Sequence, residues 1–156
     1  DSYFRHQRIQ GYVHDMGAAM MNGISGHAGL FSNSQSLAVI MQCFLNLGYY
    51  GGREYFSSNQ VRKFTGRDAE FSRRGLGFDL KELNTTDIPY VSSLSSDGTY
   101  GHPGFTGTCI WADPVNNILF IFLSNRTYPD GKINLLHKYR YRTQIQDIIY
   151  KARMIL

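Results

Sequence analysis

Apolar residues recur at helical spacing in the first third of the chain. Five of them occupy positions i, i+3, i+4, i+7 and i+8 and make one apolar face: Leu37, Ile40, Met41, Phe44 and Leu45. Ser32 and Gln35 have the spacing of a capping box, and Gly48 is a candidate C′ residue. The pattern therefore predicts a helix between Ser32 and Gly48.

A second helical signal follows closely. Ser57 and Gln60 also have the spacing of a capping box, and Gly66 is placed to end the helix that they begin. The pattern predicts a short helix with Val61 and Phe64 pointing inward.

Strand signals dominate the middle of the chain. Residues 75–80 alternate and predict a strand, and residues 81–98 have the composition of a loop. Residues 108–112 and 118–123 predict a hairpin, because the turn-rich segment 113–117 joins them. The second hairpin run is apolar on both faces, which is typical of a strand in the middle of a sheet.

Helical spacing returns near the end and predicts one long helix from about residue 133 to residue 155. This prediction rests on five positions: Leu136, Tyr139, Thr143, Ile149 and Ala152.

This order of elements predicts an α+β fold, an antiparallel sheet with N-terminal helices and a C-terminal helix packed on it. We expect residues 1–66 to be mainly helical and loop, residues 75–127 to form the sheet and residues 133–155 to form the last helix. The length of 156 residues suffices for one domain or a piece of a larger one. The sequence has no apolar run of eighteen residues, so we predict no membrane span.

The net charge of +4 brings nucleic acid into consideration. Six basic residues lie in the last quarter of the chain: Lys132, Lys138, Arg140, Arg142, Lys151 and Arg153. A basic helix can track phosphates, but the solvated face of a closing helix accounts for the same pattern. We therefore expect no nucleic-acid partner.

The sequence contains no pattern typical of a metal or nucleotide site. The five His residues are scattered without metal-ligand spacing, and no phosphate-binding loop is present. We predict no metal and no cofactor. Cys43 falls in a helical pattern and Cys109 in a strand pattern, so we expect two buried free thiols.

Two segments are candidates for chemistry. Ser25 and His27 lie in a Gly-rich turn that is close to a nucleophile elbow and could form a hydrolytic pair, but the favoured interpretation is a packed turn in which the Ser caps the backbone. His102 precedes Pro103 and Gly104 at the entrance to the hairpin, with further glycines on either side. Such a backbone can approach a ligand closely and offer N–H groups to an oxyanion, or it can be a turn between strands.

The second segment carries a family resemblance. Residues 101–108, Gly-His-Pro-Gly-Phe-Thr-Gly-Thr, followed by Asp113-Pro114 and then Ser124-Asn-Arg126, resemble the serine β-lactamase and penicillin-binding-protein superfamily, in its class-C-like and esterase-like branch. Residues 26–32 and 75–78 resemble two further motifs of that family in the same order. The resemblance covers most of residues 11–127.

The family has three catalytic motifs, and only the third is present here, at residues 102–104. No Ser is followed by Lys at the third position, and Tyr55 and Tyr90 lie too late in the chain for the tyrosine motif. The resemblance therefore implies the C-terminal half of a serine hydrolase domain, lacking its nucleophile and inactive alone.

The resemblance also implies roles for three residues. His102 would face the catalytic pocket, Gly104 would keep the strand edge open, and the N–H of Phe105 would be one of two oxyanion donors. Pro103 replaces the usual Thr of the motif, which removes a hydroxyl and a backbone donor.

The implied reaction is acyl transfer or hydrolysis through a serine ester, on β-lactams, D-alanyl peptides or simple esters. The implied partners are the missing N-terminal half and a small acyl or peptidoglycan-like substrate, with a homodimer through an exposed sheet face. The alternative is a non-catalytic cell-envelope module attached to a β-N-acetylglucosaminidase-like glycoside hydrolase. Either protein would lie in the bacterial periplasm or cell envelope.

Overall fold

The computed structural model describes residue 1 and residues 3–67, 72–83 and 89–155. The chain divides into two compact units, Asp1–Asn33 and Ser34–Leu156. The first unit contains one short helix, α1 (Met16–Met20), and its N-cap is Asp15. Within the described residues, the strands and the other helices lie in the second unit.

Two further helices precede the sheet. Helix α2 (Ser34–Leu45) begins two residues after Ser32, so the capping box predicted at Ser32 is wrong, and Ser32 lies outside the helix. Helix α3 (Ser58–Thr65) begins as predicted, with a capping box between Ser57 and Gln60.

The interior face of α3 is narrower than its sequence pattern suggests. Gly66 is the C-cap, as predicted, and Val61 is buried. Phe64 is 48% exposed, so the prediction that it points inward is wrong. An eight-residue helix has room for few buried positions, and here only Val61 is buried.

Helix α2 ends in a Schellman motif that differs from the prediction by one residue. Leu47, with φ +54°, occupies the C′ position, and its N–H donates to the carbonyl of Phe44 at 3.0 Å. Gly48 is the next residue, and its N–H donates to the carbonyl of Cys43 at 2.8 Å. A Cβ on Gly48 would lie 1.9 Å from the carbonyl oxygen of Phe56, so only Gly fits.

A small antiparallel ribbon, β1 (Tyr49–Tyr50) and β2 (Arg53–Glu54), separates these helices. The main sheet is antiparallel and contains four strands in chain order: β3 (Asp79–Leu80), β4 (Tyr100–Pro103), β5 (Cys109–Asp113) and β6 (Ile118–Phe122). The hairpin predicted from residues 108–112 and 118–123 is confirmed by β5 and β6. The predicted α+β class is confirmed as well.

The strand predicted over residues 75–80 is shorter than expected. Of residues 75–80, only Asp79 and Leu80 pair with β4. Residues 75–78 instead form a tight turn, in which the N–H of Gly75 donates to the carbonyl of Phe78 at 2.8 Å. Residues 81–83 and 89–98 are loop, as predicted, and residues 84–88 of that segment lie outside the described residues.

Strand β6 lies at an edge of the sheet in the part of the chain that the structure describes, so the prediction of a central strand is wrong. Its two apolar faces are nevertheless both covered. Leu119 packs against the cluster that contains Met41 of α2, and Phe120 packs with Trp111 on the opposite face. A strand that is apolar on both faces is therefore covered on both faces, but it need not have a strand on each side.

The two faces of the sheet carry separate apolar clusters. One contains Met41, Leu80, Tyr100 and Ala112, and the other contains Val91, Cys109, Trp111 and Phe120. Tyr100 therefore fixes the start of β4 in the core beneath α2. His102 is two residues further on and projects from the same face of the strand.

The closing segment is two helices rather than one. Helix α4 (Leu135–Lys138) and helix α5 (Tyr141–Arg153) are separated at Arg140, whose φ of +56° breaks the helical path. The buried face of α5 is mostly polar and consists of four residues: Arg142, Thr143, Gln146 and Tyr150. Of the five positions on which the long helix was predicted, only Thr143 is buried, and Ile149 and Ala152 are exposed.

Hydrogen bonds explain the polar face of α5. The N–H of Ser92 donates to Gln146 Oε1 at 3.1 Å, and Thr143 Oγ1 donates to the carbonyl of Pro89 at 3.1 Å. These bonds hold α5 on residues 89–92. None of the helices in the described ranges is long and apolar enough to cross a membrane.

Candidate functional site

Strand β4 extends beyond its partner β3 at the end that carries His102. Strand β5 pairs with all four residues of β4, whereas β3 pairs only with Tyr100 and Gly101. A side chain at Gly101 would collide with β5, because its Cβ would lie 2.0 Å from the carbonyl oxygen of Ile110. The structure therefore leaves His102 at an open end of the sheet, where it is exposed.

The hydrogen bonds of His102 fix its tautomer. Its Nδ1 lies 2.8 Å from the carbonyl oxygen of Pro103, which can only accept, so Nδ1 carries the proton. In the neutral imidazole, Nε2 then presents a lone pair. Nε2 is 3.5 Å from Nη1 of Arg74.

Arg74 is held in turn by a buried carboxylate. Arg73 and Arg74 each donate through Nη1 to one oxygen of Asp79, and the Asp79 side chain is 1% exposed. Asp79 pairs with Gly101 across the β3–β4 ladder, so the sheet register places the ion pair next to His102. Arg74 itself is 58% exposed.

The segment after Pro103 is a tight loop between β4 and β5. The N–H of Gly104 donates to the carbonyl of Thr108 at 2.7 Å, and the N–H of Gly107 donates to the carbonyl of Gly104 at 3.0 Å. A Cβ on Gly104 would lie 2.3 Å from Thr108 Oγ1. The Phe105 side chain, at the tip of this loop, is 68% exposed.

Two arginines support this loop. The guanidinium of Arg126 lies 4.4 Å from the centre of the Phe105 ring, and the N–H of Arg126 donates to the carbonyl of Thr106 at 2.8 Å. Arg142, which is buried, donates through Nη1 to the carbonyls of Gly107 and Thr108, each at 3.3 Å. Arg142 was expected on the solvated face of a basic helix, and this prediction is wrong. The side chain is buried, and its guanidinium donates to the loop carbonyls.

The second candidate segment forms a relay within the first unit. Ser25 Oγ lies 2.7 Å from Nδ1 of His27, and Nε2 of His27 lies 2.9 Å from Oδ1 of Asp15. The same carboxylate caps α1 by accepting from the N–H of Ala18 at 2.8 Å. The hydrogen bonds from Ala18 and then His27 lower the pKa of Asp15.

This relay has the order Ser, His and Asp but is open to solvent. The side chains of His27 and Asp15 are 58% and 43% exposed. Its hydrogen bonds connect residues 25–27 to the start of α1. They therefore support the interpretation of this segment as a packed turn. Asp15 was not among the residues selected from the sequence, because nothing local links it to a His twelve positions later.

Metal-binding and reactive-thiol chemistry find no support in the described ranges. The described residues contain no group of three or more His, Cys, Asp or Glu side chains that could hold a metal ion. Cys43 and Cys109 are free and buried, as predicted. Burial raises the pKa of Cys109 to about 11, which keeps the thiol protonated.

The sequence predicted the His102 segment but not its neighbours. Arg74, Asp79, Arg126 and Arg142 were not selected as candidate site residues. Each contacts the segment through register or tertiary packing, which periodicity does not reveal. The motif at residues 102–104 was the one signal that could have pointed to β3, the strand that precedes β4 and contains Asp79.

The chain is similar to known proteins. Residues 3–141 match the family model described as Beta-lactamase. The chain is 43% identical over 125 residues to an Escherichia coli protein and 42% identical over 125 residues to one from Salmonella typhi, each covering 80% of the chain. Both carry the name "Putative D-alanyl-D-alanine carboxypeptidase". The chain spans 29% of the length of these two relatives.

A solved structure supports the fold independently. The crystal structure of a β-lactamase from Mycobacterium bovis superposes with a TM-score of 0.59 at 20% sequence identity. The match covers 80% of this chain and 46% of that protein. At this identity the likeness concerns the fold alone.

Proposed function

Because the chain belongs to the beta-lactamase family, we propose that it supplies one wall of a serine acyl-transfer site that acts on D-alanyl peptides or related β-lactams and esters. The proposal refines the family assignment with a substrate class. The names of the Escherichia coli and Salmonella typhi relatives support that class.

One observation supports this proposal above the others: β4 runs past β3, its last two residues include the exposed His102, and a glycine loop held by two arginines follows. A substrate lying along this end of the strand would meet the imidazole first and the loop backbone next. Arg126 and Arg142 hold the loop in one conformation, as a preorganised oxyanion site requires.

The residues of the segment then take distinct roles. His102 orients and polarises the bound acyl group, and its Nδ1–H bond to Pro103 fixes which nitrogen faces outward. The N–H of Phe105 donates to the oxyanion that forms when the serine attacks. Gly104 lets the loop fold tightly, because any side chain there would collide with Thr108.

The nucleophile, in this proposal, lies in an S-x-x-K segment outside residues 1–156. That segment and its strands are the principal partner of the chain. A homodimer through an exposed sheet face is the alternative partner when the nucleophile segment is missing, and Leu123, next to the edge strand β6, is 47% exposed. A D-alanyl peptide substrate places the protein in the bacterial periplasm or cell envelope.

The test uses a longer protein that contains residues 1–156 together with the nucleophile segment. Stopped-flow or gel measurements with a fluorescent penicillin give its acylation rate. We expect His102→Asn to slow acylation at least about tenfold. His6→Asn, a matched change at an exposed His, should leave the rate unchanged. Absence of any serine adduct in the longer protein would contradict the proposal.

Pro103 favours a second candidate function, a non-catalytic cell-envelope module attached to a β-N-acetylglucosaminidase-like glycoside hydrolase. The ring removes the hydroxyl and the N–H that Thr would offer at the open end of β4. Under this alternative the longer protein binds cell-wall fragments without forming an acyl adduct. Pro103→Thr would then restore no acylation.

A further inference from the structure

We propose that a small cavity at the start of α5 binds one anion of halide size, with the buried guanidinium of Arg142 as its principal ligand. The inference goes beyond the proposed function, because anion binding here involves no acyl-transfer step. The residues that line the cavity come from the segments 89–90 and 136–143, and none of them lies on β4.

The charge of Arg142 is buried without a carboxylate beside it. The residue is 7% exposed, and the salt bridges found among the described residues all involve other cations. Its Nη1 donates to two neutral carbonyls, those of Gly107 and Thr108, and both bonds are long at 3.3 Å. Burying a charge without a partner of opposite sign is costly. A bound anion would supply that partner.

The first turn of α5 adds donors at the same place. The helix has 13 residues, its N-cap Arg140 makes no side-chain capping bond, and its first turn contains no acidic residue. The first N–H groups of a helix have no acceptor within it, and the positive end of the helix dipole favours a negative charge. Arg142 and Thr143 belong to this turn, and both line the cavity.

The lining of the cavity is basic. Arg140 and His137 line it together with Arg142, and no acidic side chain is found among its lining residues in the described part of the chain. The ring of His137 is fixed by stacking on Tyr90, with 5.3 Å between the ring centres. Two arginines, a fixed imidazole and a helix start therefore surround one small space.

The size of this space selects the class of anion. The cavity volume is about 10 Å³, close to the least that one water molecule needs, and the cavity is partly open. A chloride ion is only slightly larger than a water molecule, so it fits with small adjustments. Phosphate, sulfate and carboxylate groups carry several heavy atoms and need more room. The ligand class is accordingly a monatomic halide.

The test exchanges sodium gluconate for sodium chloride at constant ionic strength, so that charge screening stays the same. NMR follows the amide signal of Thr143 and the Nε–H signal of Arg142 in the chain itself. Both signals should shift saturably with chloride. Chloride should also raise the melting temperature, because a ligand that binds the native state stabilises it. Sulfate at the same ionic strength should produce neither effect.

Three variants identify the ligands. Arg142→Gln removes the buried charge, so chloride should bind at least about tenfold more weakly. Arg140→Asn removes an exposed charge at the mouth of the cavity, and Asn tolerates the φ of +56° at this position. It should weaken binding about threefold. Lys138→Asn is the matched control, because Lys138 is exposed and does not line the cavity, and it should keep the affinity.

Each variant is compared with itself in the two salts, so a lower melting temperature of Arg142→Gln does not affect the result. If that variant does not fold, the comparison of Arg140→Asn with Lys138→Asn decides the question. The inference would be overturned by the absence of a saturable shift in the unmodified chain. Chloride affinity that is unchanged in Arg142→Gln, or sulfate binding as tight as chloride binding, would overturn it as well.

Discussion

Tyr150 donates a hydrogen bond of 2.9 Å to Oδ2 of Asp113, and this bond joins the last helix to the turn of the β5–β6 hairpin. Asp113 is buried and also accepts from the side chains of Ser96 and Asn116, at 2.6 and 2.8 Å. One carboxylate thus connects the loop before β4, the hairpin turn and α5. These three elements surround the strands that carry the candidate site.

The first prediction concerns the strength of that connection. Tyr150→Phe removes one hydrogen bond to a charged acceptor, so the free energy of unfolding should fall by about 1.5–3 kcal/mol. Urea denaturation followed by circular dichroism measures the change. Tyr141→Phe, at a tyrosine that is 48% exposed, is the matched control and should leave the midpoint in place. Equal midpoints for both variants would contradict this account.

The same pair predicts how stability depends on pH. Burial opposes ionisation of Asp113, but the hydrogen bonds from Asn116 and Ser96 outweigh it and hold the pKa below its ordinary value of 3.8. A lowered pKa gives stability that is present above pH 3.8 and is lost as the pH falls through the folded-state value. The pKa of Tyr150 is raised, first by burial and then by Asp113, so its contribution is lost as the pH rises above 10.0.

We therefore expect the free energy of unfolding to fall at both ends of the pH range. Asp113→Asn should flatten the acid limb, because the side chain no longer ionises. Tyr150→Phe should flatten the alkaline limb. Denaturation midpoints at pH 3, 7 and 10.5 measure these slopes, and an unchanged acid slope in Asp113→Asn would show that other carboxylates set it.

The buried thiols predict low reactivity. Burial raises the pKa of Cys43 as well as that of Cys109, and few thiolates exist at pH 8 in either case. An aromatic disulfide reagent should modify neither thiol in the native chain and both in denaturant. Rapid native labelling of Cys109 would indicate that β5 is accessible and that the packing around Trp111 is looser than described.

The hydrogen bonds of Arg142 should link the stability of the chain to the rigidity of the loop at residues 104–108. Arg142→Met removes the donor to the carbonyls of Gly107 and Thr108, so hydrogen exchange in residues 104–108 should accelerate. The free energy of unfolding should fall by about 1–3 kcal/mol. Arg153→Met, at an exposed position of the same helix, is the control and should change neither quantity.

Local chemistry accounts for what could be predicted from the sequence. The hairpin was predictable because Asp113 to Asn117 form a turn between two apolar runs, and the start of α3 was predictable from Ser57 and Gln60. These signals involve residues within about five positions of one another. The resemblance of residues 101–108 to a family motif added the position of His102, which periodicity alone would not have singled out.

Long-range contacts account for what could not be predicted. The break at Arg140 depends on one backbone angle, and the polar face of α5 depends on partners more than thirty residues away, such as Ser92 for Gln146. Arg74 meets His102 across 28 positions, because the β3–β4 register brings Asp79 opposite Gly101. Neither helical nor strand periodicity encodes such pairings.

The most direct test of the central claim is the intact mass of the protein after incubation with a penicillin. The account predicts that residues 1–156 alone gain no mass, because their site lacks the attacking serine. A longer protein that adds the nucleophile segment should gain one acyl group, and His102→Asn should slow that gain. A stoichiometric adduct on residues 1–156 alone, for example at Ser25, would contradict the claim.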